Sequence, residues 1–257
     1  MTNTRRAMFS TLVIIPLLSA LPAGAGEAIT IFAAASTREA VSDAAAAFSK
    51  RTEIPIIPVF AATSLLARQI LDGAPADIFV SANRAWSEHL VAADMISATN
   101  LRVIAGNRLV LASGDPHPNP ITDPKHLPQL LVSERLAMAD PNSVPAGIYA
   151  REALTGLGIW QALADRLAPT ADVRRAMTLA QRREVPFAIL YGSDLFAAKD
   201  LHEMHSFAPN LHSPIVYLAG LVNRPGRKAS ASALLDYLAS PEGKAHFIAQ
   251  GFTAPGE

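Results

Sequence analysis

The chain has 257 residues, 22 Lys and Arg against 22 Asp and Glu, and no cysteine. Half of the residues are hydrophobic and 17% are charged, a balance that supports a folded core and excludes an intrinsically disordered chain. The neutral formal charge excludes a strongly basic nucleic-acid-binding protein. The lack of cysteine excludes thiol catalysis, disulfides and Cys-ligated metal centres.

The first 25 residues have the pattern of a secretory signal peptide. Arg5 and Arg6 form a basic start, an apolar stretch covers 8–21, and small residues stand at 23–25. We therefore expect cleavage near Ala25 and export to a Gram-negative periplasm. The apolar stretch is short and Pro16 interrupts it, which disfavours the alternative of a membrane anchor. The two arginines also resemble a twin-arginine signal, so general secretion and twin-arginine export both stay open.

From residue 29 onward, strand and helix patterns alternate. Strands are predicted at 29–35, 54–60, 77–81, 109–112, 135–139, 185–191, 204–207 and 215–222, and helices at 36–50, 64–72, 85–93, 146–163, 172–183, 229–238 and 241–250. Pro55 and Pro58 place the second strand at a sheet edge. The alternation predicts an α/β fold with largely parallel sheets.

Four predicted strand-to-helix turns carry mostly small residues and no cation. They are 33–37, 60–64, 144–147 and 170–173. Helix N-termini present free N–H donors and the positive end of the helix dipole, so these turns suit an anion. For a single turn, N-capping is the better explanation of Ser36 and Thr63, and Ser36 with Glu39 forms a capping-box pattern. Together the four turns favour a shared anion site without identifying the anion.

Signals for a metal site are weak. His202 and His205 lie three residues apart, but no third ligand is evident nearby, which favours a solvated loop pair over a metal site. Asp77 and Asp194, at strand ends, are best explained as caps or salt-bridge partners.

Signals for catalysis are equally scarce. No G-x-S-x-G, Walker A, G-x-G-x-x-G or H-E-x-x-H motif is present, so we do not expect an enzyme. The alternative from that class is an exported serine hydrolase that uses Ser36 or Ser193. It has no histidine at a recognisable partner position.

Eight short segments then identify a family. They are FAAAS at 32–36, LARQI at 66–70, GAPADIFVSA at 73–82, DP at 140–141, VPAGIYA at 144–150, DVR at 172–174, YGSD at 191–194 and GFT at 251–253. In this order the chain resembles the periplasmic molybdate-binding proteins, which are the solute receptors of molybdate ABC importers. The resemblance covers essentially all of the chain after residue 25.

The resemblance implies the two-lobed periplasmic-binding-protein fold of the second type, each lobe a mostly parallel sheet flanked by helices. Residues 26–106 and 214–257 would form the first lobe and 107–213 the second, with two crossovers and the ligand between them. It also implies capture of molybdate and tungstate for uptake, with a membrane permease and an ATPase as partners. No cofactor and no nucleic acid are expected, and the protein is expected to be a monomer. Sulfate, or another tetrahedral oxyanion, is the alternative ligand.

The ligand contacts of the family fall on five residues of this chain: Ser36, Thr63, Ala146, Val173 and Tyr191. By the resemblance they hold molybdenum as its oxyanion. The hydroxyls of Ser36, Thr63 and Tyr191 and the backbone N–H groups of Ala146 and Val173 would supply the donors.

Two features near this set need an explanation. The family usually has serine where Thr63 stands, so either the threonine methyl narrows the site or Ser64 takes part of the role. This leaves anion selectivity open. Asp172 places an acid beside a proposed anion site, and we expect it to cap its own helix with the carboxylate turned away.

Overall fold

The computed structural model describes residues 28–256, and the predicted signal peptide lies outside the described residues. The strands are β1 Ile29–Ala34, β2 Ile56–Ala61, β3 Ile78–Ser81, β4 Arg102–Gly106, β5 Leu109–Ser113, β6 Leu136–Ala139, β7 Leu167–Thr170, β8 Phe187–Tyr191, β9 His202–Ser206 and β10 Val216–Leu221. The helices are α1 Arg38–Thr52, α2 Thr63–Leu71, α3 Arg84–Ala92, α4 Leu127–Leu130, α5 Pro145–Gly156, α6 Trp160–Leu163, α7 Val173–Gln181, α8 Asp194–Ala197, α9 Ala231–Ala239 and α10 Pro241–Ala249. None of these helices has the length and apolar character needed to cross a membrane.

The first sheet has the strand order β2-β1-β3-β10-β4. Strand β1 runs parallel to β2, with Ile29 opposite Ile56, and parallel to β3, with Ile31 opposite Ile78. Strand β10 is antiparallel to both β3 and β4. Strand β2 lies at the sheet edge, which confirms the position that its prolines predicted.

The second sheet repeats this arrangement with the order β7-β6-β8-β5-β9. Strand β6 is parallel to β7 and β8, and β5 is antiparallel to β8 and β9. The predicted two-lobed α/β fold is confirmed, but each sheet is mixed, with as many antiparallel as parallel pairings. The reason is that β5 and β10 each enter their sheet from a crossover and run against their neighbours.

Two connections join the lobes. Strand β4 of the first sheet leads into β5 of the second through Asn107 and Arg108, and β9 leads back into β10 through residues 207–215. The lobe boundaries at 106/107 and 213/214 stay a prediction, since these connections belong to neither sheet. Buried apolar residues form one large cluster that includes residues of both sheets, and a smaller cluster involves α2 and α3.

Several elements differ from their prediction, among them the short helices α4 and α8, which were not predicted. The helix predicted at 146–163 is two helices, because the chain turns at Gly158, whose φ of +76° lies in the left-handed region. Strands β4 and β7 were not predicted. Strand β7 contains Pro169, and β4 begins with Arg102; both are short edge strands, where such residues are tolerated.

Candidate functional site

The six parallel strands of the two sheets end around one small cavity. Its walls are Ala34, Ala35, Ser36, Ala62, Thr63, Ala82, Val144, Pro145, Ala146, Asp172, Val173 and Tyr191. The cavity volume of about 20 Å³ exceeds the roughly 10–15 Å³ that one buried water needs. It is far below the roughly 300–1,000 Å³ typical of pockets for organic ligands. The five predicted site residues all lie in these walls; their contact with a ligand stays a prediction.

Ser36 lies just after β1, in a 3-10 turn over Ala35–Thr37. Its buried hydroxyl is 3.0 Å from the Tyr217 hydroxyl on β10. It does not cap α1, and Glu39, the other half of the predicted capping box, pairs with Arg174 instead. The capping-box interpretation is therefore wrong, because both side chains have partners that are distant in the sequence.

Thr63 begins α2 and points its hydroxyl back at the end of β3. Its Oγ1 accepts a hydrogen bond from the backbone N–H of Ala82 at 3.1 Å. Because that oxygen already serves as an acceptor, the hydroxyl proton of Thr63 is left for another group. Ser64 is equally buried but does not line the cavity, so the geometry favours Thr63 over Ser64 as the donor.

Tyr191 ends β8, and its side chain is 1% exposed. Tyr191 lines the cavity, and its hydroxyl makes no hydrogen bond of good geometry within the described residues. Burial raises the pKa of this phenol well above its usual value, and the nearby Tyr217, Tyr149 and Asp194 raise it further. The hydroxyl therefore stays protonated and available as a donor.

The starts of α5 and α7 supply backbone donors. Ala146 is the second residue of α5 and Val173 is the first of α7, so neither N–H has an acceptor within its own helix. Asp172 accepts from the backbone N–H of Arg175 at 3.0 Å, which confirms that it caps its own helix. That contact directs the carboxylate to the helix rather than to the cavity.

Close packing holds α5 in this position. A Cβ on Gly147 would lie 2.3 Å from the carbonyl oxygens of Ala139 and Asp140 at the end of β6. Only glycine allows the first turn of α5 to approach that strand so closely. The N-terminus of α5 is therefore held against the cavity by the backbone itself.

The cation that follows Val173 in the sequence, Arg174, is held by other partners. Arg174 pairs with the buried Asp194 at 2.9 Å, bonds to Glu39, and donates to the Ser36 carbonyl oxygen at 3.1 Å. Burial raises the pKa of Asp194 to about 6, and the Arg174 guanidinium opposes that rise. Asp194 also accepts from the backbone N–H of Tyr191 at 3.0 Å. The predicted donors around the cavity are thus uncharged, and the nearby arginine is paired with two carboxylates.

The remaining sequence candidates have structural roles. Asp77 pairs with Arg224 at 2.7 Å, so the salt-bridge interpretation is confirmed for Asp77 as it is for Asp194. His205 bonds through Nδ1 to the Ile121 carbonyl oxygen, and His202 is exposed. Among residues 28–256, no three His, Asp or Glu side chains are grouped as for a metal.

Within residues 28–256, neither serine of the hydrolase alternative has a general base among its hydrogen-bond partners. Ser36 lies beside a phenol, and the Ser193 hydroxyl accepts from the Asn107 amide at 2.8 Å. Neither partner can take up a proton from serine at neutral pH.

A larger cavity of about 710 Å³ lies elsewhere, between the proline-rich loop and the second sheet. Pro116, Ile121 and Phe187 contribute to its walls, and none of the predicted site residues does.

A family model for bacterial extracellular solute-binding proteins matches residues 29–253. The chain belongs to this family. It is 39% identical over 228 residues to the molybdate-binding protein ModA of Escherichia coli strain K12, covering 88% of each chain. It is 36% identical to ModA of Haemophilus influenzae over 88% of this chain and 90% of that one. The periplasmic molybdate-binding protein of Azotobacter vinelandii has a similar fold, with a TM-score of 0.76, 22% identity and coverage of 88% and 99%.

Sequence reasoning missed the residues behind the cavity wall. Tyr217 and Asn107 contact Ser36 or each other, yet neither lies in a motif or in a predicted helix start. Arg174 lies in one of the family segments, but nothing in its surroundings indicates its pairing with Glu39, 135 positions away. These groups come together because the chain passes twice between the two lobes, and no local sequence pattern shows this.

Proposed function

We propose that the protein captures molybdate, and tungstate, in the periplasm and delivers it to the permease and ATPase of an ABC importer. The observation that carries this proposal is the set of uncharged donors around one small cavity at the ends of six strands. The unpartnered hydroxyl of Tyr191 supports it, because a buried donor without an acceptor is costly unless a ligand completes it. The ModA relatives support the choice of anion.

Neutral donors suit a receptor that must release its cargo. Hydrogen bonds to a charged group contribute about 1.5–3 kcal/mol each, so several of them hold a dianion without a cation. An arginine in the wall would add attraction and slow the release to the importer. Donors directed at the ligand also favour an oxyanion that carries no proton. No catalytic role is assigned to any residue.

Sulfate has the same charge and tetrahedral shape as molybdate, so discrimination rests on cavity size. Backbone contacts fix Thr63 in the wall and Gly147 next to the wall residue Ala146, which limits the adjustment of the wall to a smaller anion. We therefore expect the donors to reach molybdate and tungstate better than sulfate.

Calorimetric titration of the purified protein with molybdate, tungstate, sulfate and phosphate at one ionic strength tests this proposal. The expected result is saturable binding of one molybdate or tungstate per chain and no comparable binding of sulfate or phosphate. Saturable binding of sulfate without molybdate would overturn it. A serine-hydrolase role would be revived by ester turnover that Ser36→Ala abolishes.

A further inference from the structure

The side-chain amide of Asn107 has a fixed orientation. Its Oδ1 accepts from the backbone N–H groups of Arg108, at 2.9 Å, and Ser193, at 3.4 Å. Both groups can only donate, so the oxygen must face them and Nδ2 must face the opposite way. The amide nitrogen then donates to Ser193 Oγ at 2.8 Å and to the Tyr217 hydroxyl at 3.4 Å.

This orientation bears on the direction of the next hydrogen bond. Asn107 offers Tyr217 a donor and no acceptor, and Ser36 Oγ, at 3.0 Å, is the one acceptor that hydrogen-bonds to the Tyr217 hydroxyl among the described residues. Donation from Tyr217 to Ser36 is therefore the direction that leaves no buried proton of Tyr217 without an acceptor. Burial raises the pKa of Tyr217, so the phenol keeps this proton. Ser36 Oγ is thereby an acceptor toward Tyr217, and its hydroxyl proton points to the cavity that Ser36 lines.

We propose that Asn107 and Tyr217 are positioning residues that hold the Ser36 hydroxyl as a donor toward the bound oxyanion. This inference rests on the proposed function. In the reverse direction Ser36 would donate to Tyr217 and present only lone pairs to the anion, which would repel it. The three side chains are each at least 93% buried, so water does not readily replace any link.

A double-mutant cycle tests whether Tyr217 acts through Ser36. Ser36→Ala alone should weaken molybdate binding about ten- to a hundredfold, and Tyr217→Phe alone about three- to tenfold. The double variant should bind within about twofold of Ser36→Ala, because the hydroxyl that Tyr217 positions is gone. The Tyr217→Phe ring keeps its packing against Phe252, and Asn107 Nδ2 keeps Ser193, so we expect a folded protein.

A second variant reverses the direction. In Asn107→Asp the carboxylate accepts the Tyr217 proton, Ser36 then donates to Tyr217, and its lone pairs face the anion. The loss of molybdate affinity in Asn107→Asp should exceed the loss in Ser36→Ala. When Asn107→Asp is added to Ser36→Ala, the further loss of affinity should be at least threefold smaller than when it is added to the parent. The thermal midpoint without ligand is the check on folding for every variant.

Multiplicative losses in the Tyr217 cycle, or parent-like affinity of Tyr217→Phe, would overturn the positioning role. A parent that binds sulfate but not molybdate would overturn the proposed function alone, because the same cycle can be measured with sulfate. A parent that binds no oxyanion would overturn both.

Discussion

At the scale of single residues, the chemistry of the cavity depends on which hydrogen-bond acceptors are available to each hydroxyl group. Thr63 uses its oxygen to accept from Ala82, and Ser36 shares a hydrogen bond with Tyr217 in which we propose that Ser36 accepts. Tyr191 has no partner for its hydroxyl among the described residues. An unsatisfied buried polar group costs about 1–3 kcal/mol, so the folded protein bears a cost at Tyr191 that an acceptor-only ligand relieves.

Tyr191→Phe therefore should change stability and binding in different ways. Without ligand, the variant should be at least as stable as the parent, because it removes an unpartnered hydroxyl and keeps the ring. Molybdate affinity should fall about ten- to a hundredfold, since one hydrogen bond to a dianion is lost. Thermal unfolding and calorimetric titration of the same samples measure the two effects.

Tyr237→Phe is the matched control for this prediction. Tyr237 lies on α9, and its hydroxyl is 2.9 Å from the His246 ring nitrogen on α10. Removing this hydroxyl should leave molybdate affinity unchanged. Parent-like affinity in Tyr191→Phe would mean that its hydroxyl does not face the ligand.

How far sequence predicts a residue depends on how local its partners are. Asp172 caps its own helix three residues on, and that role was predicted correctly. The capping box at Ser36 failed because its actual partner, Tyr217, is 181 positions away. Local patterns offered a plausible cap, and a tertiary contact that no pattern encodes replaced it.

At the scale of elements, the sequence placed most strands and helices because their apolar periodicity is strong. The two prolines near β2 even located an edge strand. Strand β7 was not predicted because it contains Pro169, and proline is rare within strands. Its pairing with β6 depends on its position at the sheet edge and not on a strand-like composition. The mixed character of the sheets follows from the crossovers, which local patterns do not encode.

The start of α7 allows a backbone donor to be tested by itself. Proline is favoured at the first position of a helix, and Asp172, with φ −157° and ψ 170°, already has the extended backbone that a following proline requires. Val173→Pro should therefore keep α7 and delete only one N–H and part of a side chain. We expect molybdate affinity to fall about ten- to a hundredfold.

Val173→Ala is the control, because it shortens the side chain and keeps the N–H. Its affinity should stay within about threefold of the parent. Dissociation constants for both variants, with circular dichroism to verify helix content, decide the matter. Equal affinities in Val173→Pro and Val173→Ala would rule out the Val173 N–H as a ligand donor.

At the scale of the whole molecule, the two lobes are closed on each other. The five predicted site residues are at most 4% exposed, so solvent contacts little of the site in this conformation. Contacts between the lobes include Trp86 Nε1 donating to the Ser143 carbonyl oxygen at 2.9 Å and Arg174 bonding to Glu39. Entry and release must break such contacts, so the strength of closure enters directly into affinity.

Glu39→Gln tests this coupling. Glu39 lies on α1 in the first lobe and is partly exposed, while Arg174 keeps its buried partner Asp194 in the second lobe. The variant weakens closure without leaving a buried charge unpaired. We expect a larger radius of gyration than the parent in ligand-free small-angle scattering, compaction on addition of molybdate, and affinity about three- to tenfold weaker.

The control for this experiment is Glu242→Gln, which removes an exposed salt bridge to Arg51 between two helices of the first lobe. It should change neither the scattering nor the affinity, because surface pairs within one lobe do not bear on closure. If Glu39→Gln matches this control in both measurements, the Arg174–Glu39 pair does not hold the lobes together. Closure would then rest on the other contacts between the lobes, such as the Trp86–Ser143 hydrogen bond, and on the ligand itself.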